Sequence, residues 1–402
     1  MAKKDNKKKS GKNTPASKET TPSSSVPDLS KLKINSDRTA TGVRTSTDRS
    51  RDFSFEQFSL NLCGRNLIQN TTLELNYGNR YGLVSENGAG KTTLLQCIAA
   101  RDIDIPEHID IHLLAEEAEK TDMSAIEYVI HHAQQQLEKL ETELEDAIAE
   151  DPDDPLVEDL LERIEQMDSA TFEPRAAMIL SGLGFAPERQ TQMTKDMSGG
   201  WRMRVALAKA LFIKPTLLLL DQPSNHLDLP AVIWLEEYLA KYDRMLLMVS
   251  HSEDLLNAVC SHIIHLSPKK TLDYYGGNYD VFVRTKEENE VNQMKAYEKQ
   301  QAEIAHIKAF AAAAGTYSNL VKQAQSKLKI VEKMEAAGLV EKVEAARQIK
   351  FNFTNAGKLP PPVLAFDDVS FAYSGKMEDC LYNDLELGID CDSRIALVGP
   401  NG

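Results

Sequence analysis

The 402-residue sequence predicts an α/β fold in which a parallel sheet is buried between layers and fronted by a glycine-rich loop. Three observations predict it. The runs Arg80–Val84, Thr216–Leu220 and Arg244–Val249 are short and almost wholly apolar, which is the pattern of strands covered on both faces. The first of them passes directly into Ser85-Glu86-Asn87-Gly88-Ala89-Gly90-Lys91-Thr92-Thr93 and an apolar helix start at Leu94-Leu95. A second turn, Ser198-Gly199-Gly200, opens a helical run through Val205-Ala206-Leu207-Ala208-Lys209-Ala210-Leu211.

Taken in order, the chain opens on a polar segment. Residues 1–50 hold twelve Lys/Arg against five Asp/Glu, about +7 of a formal net charge of −15, which leaves the remainder near −22. Rich in Lys, Ser, Thr and Pro, they are expected to form a disordered basic tail. The clusters Lys3-Lys4 and Lys7-Lys8-Lys9 suit nucleic-acid contact, a nuclear address or a plain solvated tail. The five cysteines, Cys63, Cys97, Cys260, Cys380 and Cys391, show no C-x-x-C spacing, which fits free thiols rather than a disulfide or zinc framework. No apolar run reaches the roughly 18 residues that cross a bilayer, and the lysine-rich start lacks the apolar stretch of a secretory signal.

Strand, glycine loop, Lys-Thr and helix together make a phosphate loop of Walker A type. Its glycines let backbone N–H groups approach a phosphate, Lys91 is placed for β/γ oxygens, and Thr92 for Mg²⁺. The nucleotide-binding candidates are Asn87, Gly88, Ala89, Gly90, Lys91, Thr92 and Thr93, although Ser85 stands where the pattern has its first glycine. A helical insertion is expected at about 120–170. Ser124 to Glu127 forms a capping box, apolar residues then recur at helical spacing from Ile126 to Ile148, and a break at 151–155 precedes a second amphipathic helix. This hairpin suits either a packed subdomain or a projecting arm. The run Thr216–Leu220 ends at Asp221, and Arg244–Val249 delivers Ser250-His251.

The first domain is expected over 53–285. A helical linker (286–345) follows, read as two long antiparallel helices interrupted at Gly315, with Lys322, Lys327, Lys329 and Lys333 on the second. Those lysines suit a solvated face as well as phosphate contact. A connector (346–362) carries Pro360-Pro361-Pro362, which cannot continue a helix. Then the opening recurs: Val363 to Tyr373 parallels Phe53 to Leu62, and Arg394 to Gly402 parallels Arg80 to Gly88. A repeat at about 310 residues indicates a second copy of the first domain, of which 363–402 is the start. Because the chain stops inside the second glycine loop, before its lysine, it is expected to be a piece of a longer protein.

The Ser-Gly-Gly turn, the Walker A loop and the run Asp221-Gln222-Pro223-Ser224-Asn225-His226-Leu227-Asp228 together resemble the ATP-binding cassette (ABC) ATPases. The resemblance implies that Asp221 steadies Mg²⁺ through water, that His251 is the switch histidine contacting the γ-phosphate, and that Ser198, Gly199 and Gly200 hold nucleotide bound to another cassette. It also implies a catalytic Glu where this chain has Gln222. An amide cannot accept the proton of the attacking water, and loss of a general base typically costs about 10²–10⁴ in rate. In the second cassette, Tyr373 takes the place of the adenine-stacking aromatic, and Gly399, Asn401 and Gly402 that of the loop. Leu62 and Ala115 depart from the family's aromatic and Q-loop glutamine in the first.

Tandem cassettes, a charged helical linker and the runs Leu73 to Gly78, Ile105 to Ile111 and Leu359 to Val363 resemble the F subfamily, and within it the ribosome-biogenesis branch. That resemblance implies an ATP hydrolase with ATP and Mg²⁺ as ligands, cytoplasmic and, on the tail's reading, also nuclear. Ribosomal subunits or pre-ribosomes are its implied partners, with rRNA or tRNA met by the linker, no membrane, and the second cassette of the same chain as the closing half. A non-hydrolysing regulatory ATP-binding protein, favoured by Gln222, and the nucleotide-binding subunit of a membrane transporter are the competing readings.

Overall fold

The computed structural model describes residues 38–47, 50–106, 108–150, 155–313, 318–343, 350–352, 354, 357, 359–361, 363–396 and 399. The expectations on residues 1–37, on the break at 151–154, and on Gly315, Pro362, Asn401 and Gly402 lie outside them.

Two sheets and a helical layer are stacked. The first sheet is antiparallel, in the order β1 (Arg38–Arg44), β2 (Phe53–Leu62), β3 (Arg65–Leu75). The second is built from β4 (Arg80–Val84), β5 (Ile111–Leu114), β6 (Leu217–Asp221), β7 (Met245–Val249), β8 (His262–Leu266) and β9 (Leu272–Gly276), in the order β5-β6-β7-β4-β8-β9. All its pairings are parallel except β8 with β9. Strand β6 shows why a continuous apolar run is needed. Leu217 and Leu219 pack with the antiparallel sheet, whereas Leu218 and Leu220 pack with the helices, because successive side chains point to opposite faces.

Helix α1 (Lys91–Ala99) follows the glycine loop and buries Leu94, Leu95, Cys97 and Ile98 between the two sheets. Against the other face lie α2 (Ala125–Glu150), α3 (Pro155–Gln166), α4 (Phe172–Gly182), α5 (Pro187–Gln190) and α6 (Gly199–Ile213). At the start of α2, Ser124 N donates to Glu127 Oε2 (2.9 Å) and Glu127 N donates to Ser124 Oγ (3.3 Å), the reciprocal bonds of a capping box. Helices α7 (Leu229–Ala240) and α8 (Glu253–Val259) complete this layer.

Helices α9 (Tyr279–Ala313) and α10 (Ser318–Ala337) pack on each other through Ile304, Ile307 and Val331. Strands β10 (Leu364–Phe371) and β11 (Tyr382–Ile389) form an antiparallel pair. Gln57 in β2 and Asp368 in β10 both adopt positive φ, and Asn70 N and Asp384 N donate to Ser59 Oγ and Ser370 Oγ, each at 3.0 Å. The internal repeat therefore extends to the irregularities of the strands.

One boundary and one helix start differ from the sequence reading. Residues 38–44, placed in the disordered tail on composition, form β1. Their backbone pairs with β2, and Arg38 Nε binds Asp102 Oδ2 at 2.5 Å, long-range contacts that a composition average does not register. The division at 285/286 falls inside α9. Its first turn is part of the cassette, because Phe282 is buried among Tyr275, Tyr279 and His265.

Candidate functional site

The parallel register brings three loops to one edge of the sheet. Strands β4, β6 and β7 are adjacent, so the glycine loop, Asp221 and Ser250-His251 all leave their carboxyl ends. In open α/β sheets this edge is where ligands bind.

The glycine loop is shaped by two left-handed residues. Gly88 has φ +77 with open space where a side chain would stand. Gly90, φ +109, caps α1, and a Cβ there would meet Leu67 Cδ1 of β3 at 2.9 Å, so conformation and close approach both require glycine. Lys91 is buried, and its ammonium donates to the loop carbonyls of Ser85 (2.9 Å) and Glu86 (3.1 Å). Burial lowers its pKa, and the nearby Asp221 carboxylate partly opposes that. The next residue, Thr92, donates its hydroxyl to Asp221 Oδ2 at 2.6 Å. The other carboxylate oxygen, Oδ1, is enclosed and has no hydrogen-bond partner among the described residues. A hydroxyl and a spare anionic oxygen beside a phosphate loop are a hard-oxygen set of the kind Mg²⁺ takes.

Two adjoining clefts flank this pair. One, of about 320 Å³, is lined by Leu62, Arg65, Leu67, Asn87, Gly88, Gly90, Lys91, Thr92, Thr93 and Gln222. The other, of about 350 Å³, includes Ala115, Asp221, Gln222, Asn225 and His226. Leu62 and Ala115 thus both border the site without offering an aromatic ring or an amide. Arg65, which the sequence reading missed, lies three residues beyond Leu62 and joins the lining; its signal was only a lone cation after a Gly turn.

Gln222 borders both clefts in a left-handed conformation (φ 50). Its N–H donates to Val249 O (2.8 Å), and its Oε1 accepts from Asn225 Nδ2 (2.7 Å). His251 is exposed just beyond β7, where Val249 is the register partner of Asp221. Ser198 caps α6 without a side-chain hydrogen bond, leaving its hydroxyl uncommitted to the helix. Ser198, Gly199 and Gly200 line neither cleft. Beside them the Glu117 carboxylate, paired with Arg202, stands 2.5 Å from where a Gly199 Cβ would be. Tyr373 is 87% exposed and Gly399 is exposed, both apart from the first cassette's clefts.

Two protein-family models, both described as ABC transporter, match residues 68–225 and 265–353. The F family member 2 ABC transporter of Dictyostelium discoideum is 56% identical over 98% of this chain and 68% of its own length. The chain belongs to the F family of ABC proteins. An uncharacterised ABC transporter ATP-binding protein of Schizosaccharomyces pombe is 59% identical over 93% of the chain. The ABC transporter ATP-binding protein ARB1 of Saccharomyces cerevisiae is 56% identical over 91%. The chain spans 61% of the S. pombe relative and 60% of ARB1. The second family match begins at 265, ahead of α9. No described helix is long and apolar enough to cross a membrane.

Proposed function

We propose that this F-family chain is an ATP-binding, ATP-hydrolysing cassette protein that closes on its second cassette and acts on ribosomal particles. The observation that carries the nucleotide reading is the Thr92–Asp221 pair beneath the glycine loop, with one carboxylate oxygen left over. Thr92 and Asp221 would hold Mg²⁺, directly or through water, and the cation when bound supplies charge neutralisation for the phosphates. Lys91 would exchange the carbonyls of Ser85 and Glu86 for phosphate oxygens. That Ser198, Gly199 and Gly200 line neither cleft supports the reading that this signature turn serves nucleotide on the other cassette, while Lys91 relies on the other cassette's turn.

The ribosomal part of the proposal is supported by family membership and by exposed lysines, Lys329 and Lys333, on α10. The non-hydrolysing reading has its own support in Gln222, an amide whose oxygen is already held by Asn225.

Titration with a fluorescent ATP analogue tests the nucleotide site. Binding is expected to need Mg²⁺ and to be lost in Lys91→Ala and in Asp221→Ala. Equal affinity with and without Mg²⁺, or an unaffected Lys91→Ala, removes the assignment. Co-sedimentation with purified ribosomal subunits tests the partner, with recovery in the unbound fraction at every nucleotide state as the negative result.

A further inference from the structure

The cleft at the glycine loop carries a cation that no step of the proposed activity uses. Arg65 follows the Cys63-Gly64 turn between β2 and β3, and both turn residues have positive φ (49 and 75). That turn makes Leu62 and Arg65 direct cross-strand partners, so their side chains share one face of the sheet. Leu67, further along β3, lies where a Gly90 Cβ would stand. All three line the cleft of about 320 Å³ together with the glycine loop and Lys91.

Two observations mark what this end of the cleft would meet. Arg65 is exposed, and its guanidinium makes no hydrogen bond, ion pair or ring contact among the described residues. Its five donors are therefore all available. The internal repeat supplies the second. Tyr373 and Lys376 stand where the first copy has Leu62 and Arg65, on either side of glycines of the same hand (Gly64 φ 75, Gly375 φ 69). One copy joins an aromatic ring to a point charge, and the other joins an aliphatic chain to a planar guanidinium. Each copy thus offers one flat group at this place.

We propose that Arg65 reads the nucleobase in the first cassette and gives that cassette a preference for guanine over adenine nucleotides; this rests on the nucleotide reading of the glycine loop. With the phosphates on the loop and Lys91, the base falls to the end lined by Leu62, Leu67 and Arg65. The leucines cover its face and the guanidinium meets its edge. A guanidinium only donates. Guanine presents two neighbouring acceptors, O6 and N7, which fit the guanidinium fork, whereas adenine sets the N6 donor beside N7 and turns one donor against another. A stacked aromatic ring makes no such distinction, since every base has a π-face.

The test is equilibrium titration of the full chain with ribose-labelled fluorescent GTP and ATP, each with Mg²⁺. GTP is expected to bind about fivefold or more tightly. Arg65→Gln should turn the preference toward ATP, because a Gln amide pairs with adenine N6 and N7. Arg65→Lys keeps the charge but loses the fork, and should bring the ratio of the two affinities to about one. Equal or tighter binding of ATP by the parent chain overturns the proposal and leaves the nucleotide reading standing, as does a ratio that neither substitution moves. An equal loss of both nucleotides in Arg65→Gln would put Arg65 on phosphate and overturns it too. If the parent chain binds neither nucleotide, the nucleotide reading itself falls and the base assignment falls with it.

Discussion

Gln222 is held from three sides, by its left-handed backbone, the Val249 carbonyl and the Asn225 amide. Its side chain is thereby kept at the border of both clefts, and an amide there cannot take a proton as a carboxylate can. On the proposed activity, Gln222→Glu is expected to raise phosphate release by about 10²–10⁴-fold with little change in nucleotide affinity, read by steady-state turnover beside equilibrium titration. A second residue reports on the helical layer. Burial, with Lys209 and His132 nearby, lowers the His112 pKa to about 4 from 6.5, against a small opposing pull from Asp110. Between those values the unfolded chain binds the proton and the folded chain does not. Stability is therefore full above about pH 6.5 and falls as pH drops toward about 4, by at most about 3 kcal/mol from this group. Urea midpoints at about pH 7 and about pH 5 should differ less in His112→Gln than in the parent protein.

At the scale of elements, α9 is rooted rather than tethered. Phe282 is 3% exposed and contacts the rings of Tyr275, Tyr279 and His265, so the first turn belongs to the cassette core. Truncation of such a ring typically costs about 3–5 kcal/mol. Phe282→Ala is expected to raise hydrogen exchange in the first turns of α9 while leaving β6 and β7 protected; uniform loss of protection would mean that the helix root is not a separable unit. Sequence periodicity made the helix legible but not its starting point, since Tyr279 and Phe282 look like any apolar pair until β9 is folded beneath them. Strand β1 was hidden for the same reason. Arg38–Arg44 is polar by composition, and only pairing with β2 and the ion pair to Asp102 make it a strand.

For the whole molecule, the two copies of the opening hairpin differ in environment. Phe53, Phe55 and Leu73 are at most 1% exposed, whereas Leu364, Phe371 and Tyr382 are 54%, 42% and 44% exposed. Among the described residues the mixed sheet covers the first hairpin and none covers the second. The proposed partner enters at this scale as well. If α10 meets nucleic acid through Lys329 and Lys333, log affinity for ribosomal particles should fall linearly with log salt. Replacing both lysines with Gln should make the slope shallower by about 1–2, measured by co-sedimentation across a salt series; an unchanged slope would remove α10 from the contact.

The sequence by itself determined the α/β class, the glycine loop and the order of the motif residues, because these depend on local backbone requirements and on the periodicity of burial. Gly88 and Gly90 need left-handed backbone whatever surrounds them, and a strand covered on both faces must be apolar throughout. Only the tertiary structure decided that Thr92 meets Asp221, that Leu62, Ala115 and Arg65 border the clefts, that β1 exists and that α9 begins inside the cassette. Each of those rests on contacts between residues far apart in the chain, created by parallel strand order and layer packing, which no local pattern encodes.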